Sequence, residues 1–238
     1  MLKVKNLTKR YGEKVALDSV SFEVQSGDIT AFIGHNGAGK TTALKSIAGI
    51  LNFDDGEIII DGISVNGNSL KTKSMIGYLP DNPELYDSLT GIGYLNFIAD
   101  VFGVDENLRK ERIENYAKRL GIFDDLQNQI STYSHGMKQK IAIISVLVHK
   151  PKLYLFDEPF VGLDPVVSHE FKQIMKEETQ SGSAILFSTH ILEVAEKLCS
   201  KIVVIKNGKI VGSGSMAEIK GDESLEKFFL ELEDEKHN

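Results

Sequence analysis

The run Gly34-His35-Asn36-Gly37-Ala38-Gly39-Lys40-Thr41-Thr42 constrains this chain more than any other stretch. It reads G-x-x-x-x-G-K-T, the pattern of a phosphate-binding P-loop. Its setting is the one the pattern requires. Asp28-Ile29-Thr30-Ala31-Phe32-Ile33 before it predicts a short apolar strand, and Thr42 to Leu51 after it carries apolar residues at helical spacing. Gly34, Gly37 and Gly39 let the backbone curl so that N–H groups face phosphate oxygens. The helix that follows adds the positive end of its dipole. Lys40 is placed to reach the β- and γ-phosphates, and the Thr41 hydroxyl to sit on Mg2+. The competing reading is a glycine-rich turn that happens to end in Lys-Thr, and the flanking strand and helix argue against it.

At 238 residues the chain can hold one large domain or a domain with an inserted subdomain. Its strongest apolar run, Ile141 to Val148, is far shorter than the ~18 residues of a membrane span. Met1-Leu2-Lys3-Val4-Lys5 lacks the apolar core of a secretory signal. The expectation is a cytoplasmic protein, held at a membrane by a partner if it works there. Cys199 is the single cysteine, so no intramolecular disulfide can form; a buried, inert thiol is expected. A net charge of −7 argues against a large nucleic-acid footprint, and no nucleic-acid partner is expected.

Leu2 to Leu7 alternates as a strand, and Lys14-Val15-Ala16-Leu17 and Val20 to Val24 read as two more, so an antiparallel patch precedes the P-loop. Tyr11 flanks the first turn, either as a surface aromatic or as a ring stacked on a nucleotide base. Glu57 to Ile60 and Ile76 to Leu79 are further strands, the second ended by Pro80-Asp81-Asn82-Pro83. From Leu89 to Ile130 the pattern is helical. Tyr94, Leu95, Ile98, Val101 and Phe102 form one apolar stripe, and Ile113, Tyr116, Ala117 and Leu120 another. Ser134 is the expected N-cap of a helix reaching about Val148. Lys152 to Phe156 is a buried-type strand delivering Asp157-Glu158-Pro159 to a sheet edge, where α/β sites lie. Pro165 suits the first position of the next helix. Ala184 to Ser188 is a strand before Thr189-His190 and a helix to about Cys199, and Asn207-Gly208 joins a hairpin. Ser224 to Asn238 reads as an acidic amphipathic helix with Leu225, Phe228, Phe229 and Leu232 on one side.

With Tyr133-Ser134-His135-Gly136-Met137, Asp157-Glu158 and His190 in hand, the sequence resembles the ATP-binding subunit of ABC transporters from about Leu2 to Gly214. The resemblance implies an α/β fold: a P-loop NTPase core with an N-terminal antiparallel β subdomain and an inserted α-helical subdomain. Residues 1–84 and 151–214 would form the ATP-binding core, 85–150 the helical subdomain ending in the signature helix, and 215–238 an acidic helical tail. Gly34, His35, Asn36, Gly37, Ala38, Gly39, Lys40, Thr41 and Thr42 match the Walker A loop. Tyr11 matches the aromatic that stacks on adenine, and Ala16 joins the ATP-binding set. Asp157 matches the Mg2+-holding acid of Walker B, Glu158 the catalytic carboxylate and His190 the switch histidine. Ser134 and Gly136 stand in the signature, and Asp164 in the D-loop. These three would meet ATP across a head-to-tail dimer with a second ATP-binding subunit, identical or related.

Two positions depart from the family. The signature has Tyr133, His135 and Met137 where LSGGQ has Leu, Gly and Gln, while Ser134 and Gly136, which the resemblance implies would bind γ-phosphate, are kept. Asp81 stands where the family has a glutamine that senses Mg2+ and the attacking water. A carboxylate accepts and does not donate when ionised, yet suits Mg2+; the alternative is that Asn82 takes the role through a shifted loop. The cofactors implied are ATP and Mg2+, with Thr41, Asp81 and Asp157 as metal ligands. Glu158 would orient water and take its proton. The imidazoles of His35, His135, His149, His169 and His237 read as surface or structural.

The leading expectation is an ATPase that energises a separate integral membrane permease, most like subunits paired with export-type permeases. It would lie peripherally on the inner face of the cell membrane. A second is an ABC-type ATPase acting on a ribosome or nucleic acid; those carry two ATP-binding halves or a long coiled-coil insertion, and this chain has neither. A GTPase would need an Asn-Lys-x-Asp motif, which is absent, and a small-molecule kinase would leave Tyr133 to Met137 unexplained.

Overall fold

Alternation at the start of the chain builds a sheet of its own. In the computed structural model, which describes residues 1–66, 69–220 and 224–227, the chain opens with β1 (Leu2–Tyr11) and β2 (Lys14–Val24). After β3 (Ile29–Ile33) and α1 (Lys40–Ile47) come β4 (Asp55–Ile60) and β5 (Ile63–Ser64). Strands β2, β1, β4 and β5 pair antiparallel in that order. The two short strands expected at 14–24 are one. Asn6 and Ser19, on either side of the Leu7–Val20 pair, have φ of 49° and 54°, and the register shifts there. Side chains bridge the irregularity: Ser21 Oγ accepts from Asn6 N at 2.8 Å and Thr8 Oγ1 from Ser19 N at 3.1 Å. A bulge with its polar groups satisfied bends a strand without ending it.

The chain continues through α2 (Ser69–Ser74), β6 (Ile76–Leu79), α3 (Gly91–Val101), α4 (Glu106–Arg119), α5 (His135–Leu147), β7 (Leu153–Phe156) and α6 (Pro165–Gln180). Then come β8 (Ala184–Thr189), α7 (Leu192–Leu198), β9 (Lys201–Lys206), β10 (Lys209–Ser215) and α8 (Met216–Lys220). Among the described residues the second sheet has the order β10-β9-β3-β8-β7-β6, parallel except for β10. Its central strands are apolar on both faces because both are covered. One face packs on α1 and the antiparallel sheet through Phe32, Leu44, Leu155 and Leu186; the other packs on α5 and α6 through Ile33, Phe156, Ile143 and Phe171. Asn207 and Gly208 both adopt positive φ, 50° and 76°, as a type I′ hairpin turn requires.

Ile113, Tyr116, Ala117 and Leu120 are buried as their stripe predicts. The α3 stripe is narrower than expected. Tyr94, Leu95 and Ala99 are buried, but Val101 is 63% and Phe102 37% exposed, because the helix ends there and turns away at Gly103. Cys199 is buried just after α7, and burial pushes its thiol up out of the reactive range. Of the expected tail helix, Leu225 is buried against the core, while Phe228, Phe229 and Leu232 lie outside the described residues. Among the described residues no helix is long and apolar enough to cross a membrane.

Candidate functional site

Parallel strands β3, β6, β7 and β8 all end at one edge of the sheet, so the segments that follow them converge. The Gly34–Gly39 loop leaves β3 and wedges between β9 and β2. A Cβ on Gly34 would lie 2.4 Å from the Ile205 carbonyl oxygen. One on Gly39 (φ 113°) would lie 2.7 Å from the Ala16 oxygen. Only glycine permits both approaches. No side chain caps α1, so its first amides face the cleft beside the loop.

That cleft, about 430 Å³, is lined by Tyr11, Lys14, Ala16, His35, Asn36, Gly37, Gly39, Lys40, Thr41 and Thr42 together with Asp81, Asp157 and Glu158. Gly34 and Ala38 lie beneath the loop surface. Tyr11 is 51% exposed, with Lys9 Nζ over its ring. The Lys40 ammonium is buried and donates to the Gly34 and His35 carbonyls at 2.6 and 3.2 Å. Burial lowers its pKa, against the opposing pull of Glu158 and Asp157.

Asp157 is fully buried at the end of β7. Its Oδ1 accepts from Ser188 Oγ at 2.6 Å, and its Oδ2 has no hydrogen-bond partner. Burial raises its pKa, partly offset by the Ser188 and Thr41 hydroxyls. A buried carboxylate oxygen left bare beside a hydroxyl suits a hard cation that takes oxygen ligands, so the residues present fit Mg2+. Glu158 holds a left-handed backbone, φ 48°. Its amide donates to Ser188 Oγ at 2.9 Å, so one serine braces both acids. Glu158 Oε2 lies 3.0 Å from His190 Nδ1, and Oε1, without a hydrogen bond, lies 3.8 Å from Lys40 Nζ.

His190 therefore joins the site through Glu158, while Ser134, Gly136 and Asp164 are not on the cleft wall. Ser134 caps α5, accepting from Met137 N at 3.3 Å, and Asp164 caps α6, accepting from Val166 and Val167 amides. Asp81, not Asn82, lines the cleft; Asn82 faces a neighbouring hollow with Glu84 and His135. His135 and His169 are exposed, and His149 is half-buried against Phe102; His237 lies outside the described residues. Sequence reasoning did not single out Lys14 or the bracing role of Ser188. The one signal for Ser188 is a hydroxyl at the end of an otherwise apolar strand.

A family model described as ABC transporter matches residues 17–161, a span holding both the loop and the acid pair. The chain belongs to the ABC transporter family. It is an ATP-binding subunit and ATPase of that family, which energises transport through a permease. An uncharacterized ABC transporter ATP-binding protein of Bacillus subtilis, YdbJ, is 33% identical over 98% of this chain and 74% of its own length. A solved ATP-binding subunit of an ABC transporter is 34% identical, with a TM-score of 0.94 over 98% of this chain and 99% of that one. The ATP-binding cassette MJ0796, solved as a dimer in a post-hydrolysis state with ADP and Pi, shares the fold with a TM-score of 0.81 at 24% identity over 91% of this chain and 99% of that one.

Proposed function

We propose that this subunit drives export through its permease, hydrolysing ATP held between two ATP-binding subunits at the cytoplasmic face of the membrane. The observation that carries the sandwich is a separation. Lys40, Asp157 and Glu158 share one cleft, while the signature groups, exposed Ser134 and half-buried Gly136, lie outside it. A head-to-tail pair brings the signature of one copy to the γ-phosphate of the other, and the dimeric state of the MJ0796 cassette supports this arrangement. Within each site Tyr11 stacks on the base, the loop amides and Lys40 bind the phosphates, and Thr41, Asp157 and Asp81 would hold Mg2+. The ion would neutralise charge on the β- and γ-phosphates. Glu158 Oε1 takes the proton of the attacking water as its oxygen bonds to the γ-phosphorus and ADP leaves. His190 orients Glu158 and faces the γ-phosphate. The export assignment rests on the resemblance of the P-loop region, Gly34 to Thr42, to subunits of export-type permeases.

Size-exclusion chromatography of Glu158→Gln with and without Mg-ATP, beside phosphate release by the parent, tests the reading. An ATP-dependent shift to a dimer with loss of turnover supports it. A monomer with ATP bound, from a chain whose parent hydrolyses normally, overturns the self-sandwich. ATP-driven substrate uptake into inverted membrane vesicles, measured with the permease present, tests the direction.

A further inference from the structure

Gln139 lies in α5, five residues beyond the Ser134 cap, and is completely buried. Its Nε2 donates to the Pro159 carbonyl at 3.3 Å, and its Oε1 has no partner. A buried amide with a bare oxygen is a poor stabilising choice where an aliphatic side chain would fill the space. The bond it does make falls on the residue after Glu158. Glu158 keeps a backbone conformation that non-glycine residues rarely adopt, so something must hold it there. Ser188 Oγ takes its amide on one side. Gln139 takes the following carbonyl on the other.

The same loop meets α5 twice more. A Cβ on Gly136 would lie 2.9 Å from the Gly162 carbonyl oxygen, and one on Gly162 would lie 2.7 Å from the His135 ring. The first turn of α5 and the 158–162 loop therefore leave each other little room to slide.

We propose that Gln139 is a positioning residue that fixes the aim of Glu158, tying it within one subunit to the helix that presents Ser134 and Gly136. The inference rests on the reading of Glu158 as the carboxylate that takes the water proton. Moving the signature helix then moves the 158–159 turn of the same chain, because the Gln139 bond and the glycine contacts transmit the displacement.

The test is phosphate release by the full chain over a range of Mg-ATP, with fluorescent-ATP binding and thermal unfolding alongside. Gln139→Met keeps length and loses the donor. It should lower kcat roughly ten- to a hundredfold, with KM and nucleotide affinity changed by no more than about twofold. Gln139→Glu, which sets a carboxylate against the Pro159 carbonyl, should be slower still. On the residual phosphate release of a Glu158→Gln background, followed in single-turnover mixtures with enzyme in excess of ATP, Gln139→Met should cost less than about twofold more, because the group it aims is already gone. Equal losses in the two backgrounds, turnover near the parent's, or kcat, KM and melting temperature falling together would each overturn the proposal. So would failure of both single variants to fold, which makes Gln139 a core support only. Full turnover by Glu158→Gln alone identifies a different failure, that of the role given to Glu158.

Discussion

His190 Nδ1 stands 3.0 Å from Glu158 Oε2, while the other oxygen of the same carboxylate lies 3.8 Å from Lys40 Nζ. The carboxylate is thus suspended between the buried Lys40 ammonium and an exposed imidazole on the next strand end. Of the two neighbours only His190 is at hydrogen-bonding distance, and it contributes no wall to the cleft. Its effect on ATP binding should be small and its effect on turnover large.

Replacing His190 with alanine should therefore lower phosphate release by about a hundredfold. Fluorescent-nucleotide affinity should stay within roughly threefold, as expected for an interaction that matters in the transition state more than in the ground state. Steady-state kinetics beside a binding titration check both numbers. Parent-like turnover in the variant would remove His190 from the site.

Asp157 makes the opposite trade. Its Oδ2 is buried and bare, and its carboxyl is pushed up by burial. Without nucleotide or Mg2+ this arrangement costs stability, so Asp157→Asn should melt about 2–4 °C higher than the parent, equivalent to ~1 kcal/mol for a chain of this size. Chelating Mg2+ from the parent should abolish turnover, and Asp157→Asn should be equally inactive with Mg2+ present. Differential scanning calorimetry with and without Mg-ATP completes the comparison. The parent should gain from the metal and the variant should not.

Signals confined to a few neighbouring residues were legible. The Gly34–Thr42 loop, the Ser134 cap, Pro165 opening α6 and the Asn207-Gly208 turn each act within a single turn of chain, so residue type and spacing suffice. Asp157-Glu158 was legible as well, because an apolar strand announces where its end falls. Gln139 was not, since its partner Pro159 is 20 positions away and nothing local distinguishes it from other polar residues of a helix start. Ser188 reaches Asp157 across 31 positions and depends on β7 and β8 being neighbours in the sheet. Val101 and Phe102 continue a helical stripe in sequence, yet the helix ends before that stripe meets the core. The strand at 14–24 reads as two because a bulge looks in sequence like a turn.

His149 predicts a pH dependence. Its ring stacks on Phe102 at 3.8 Å between centroids. Burial lowers its pKa, with the Ile76 carbonyl pulling the other way. The folded value lies below the unfolded ~6.5, so between them the unfolded chain binds more protons. Stability is then full above about pH 6.5 and lost as pH falls toward the folded value, by up to ~1.4 kcal/mol per pH unit crossed. Urea unfolding at pH 7.5 and 5.5 should show a larger acid loss for the parent than for His149→Gln. The same loss in both chains would assign it elsewhere.

Glu178 supplies the most demanding test of the packing. It is 3% exposed on α6, where it accepts from Tyr116 Oη on α4 at 2.8 Å and Tyr154 Oη on β7 at 2.9 Å, with the Lys150 ammonium against the same carboxylate. One buried carboxylate thereby joins the helical segment to the sheet. Glu178→Leu leaves two buried hydroxyls and a cation without their acceptor, and should cost about 3–5 kcal/mol, or roughly 10 °C in melting temperature. Glu178→Gln keeps one acceptor and should cost about 1–2 kcal/mol. The triple variant Tyr116→Phe, Tyr154→Phe, Glu178→Leu removes the hydroxyls with their partner and should recover much of the leucine loss, since an apolar replacement of a whole buried network is often nearly neutral. Recovery would mean that the carboxylate fixes how α4 seats on the core more than how strongly it does so. A triple variant no better than Glu178→Leu would mean that the network itself holds the two parts together.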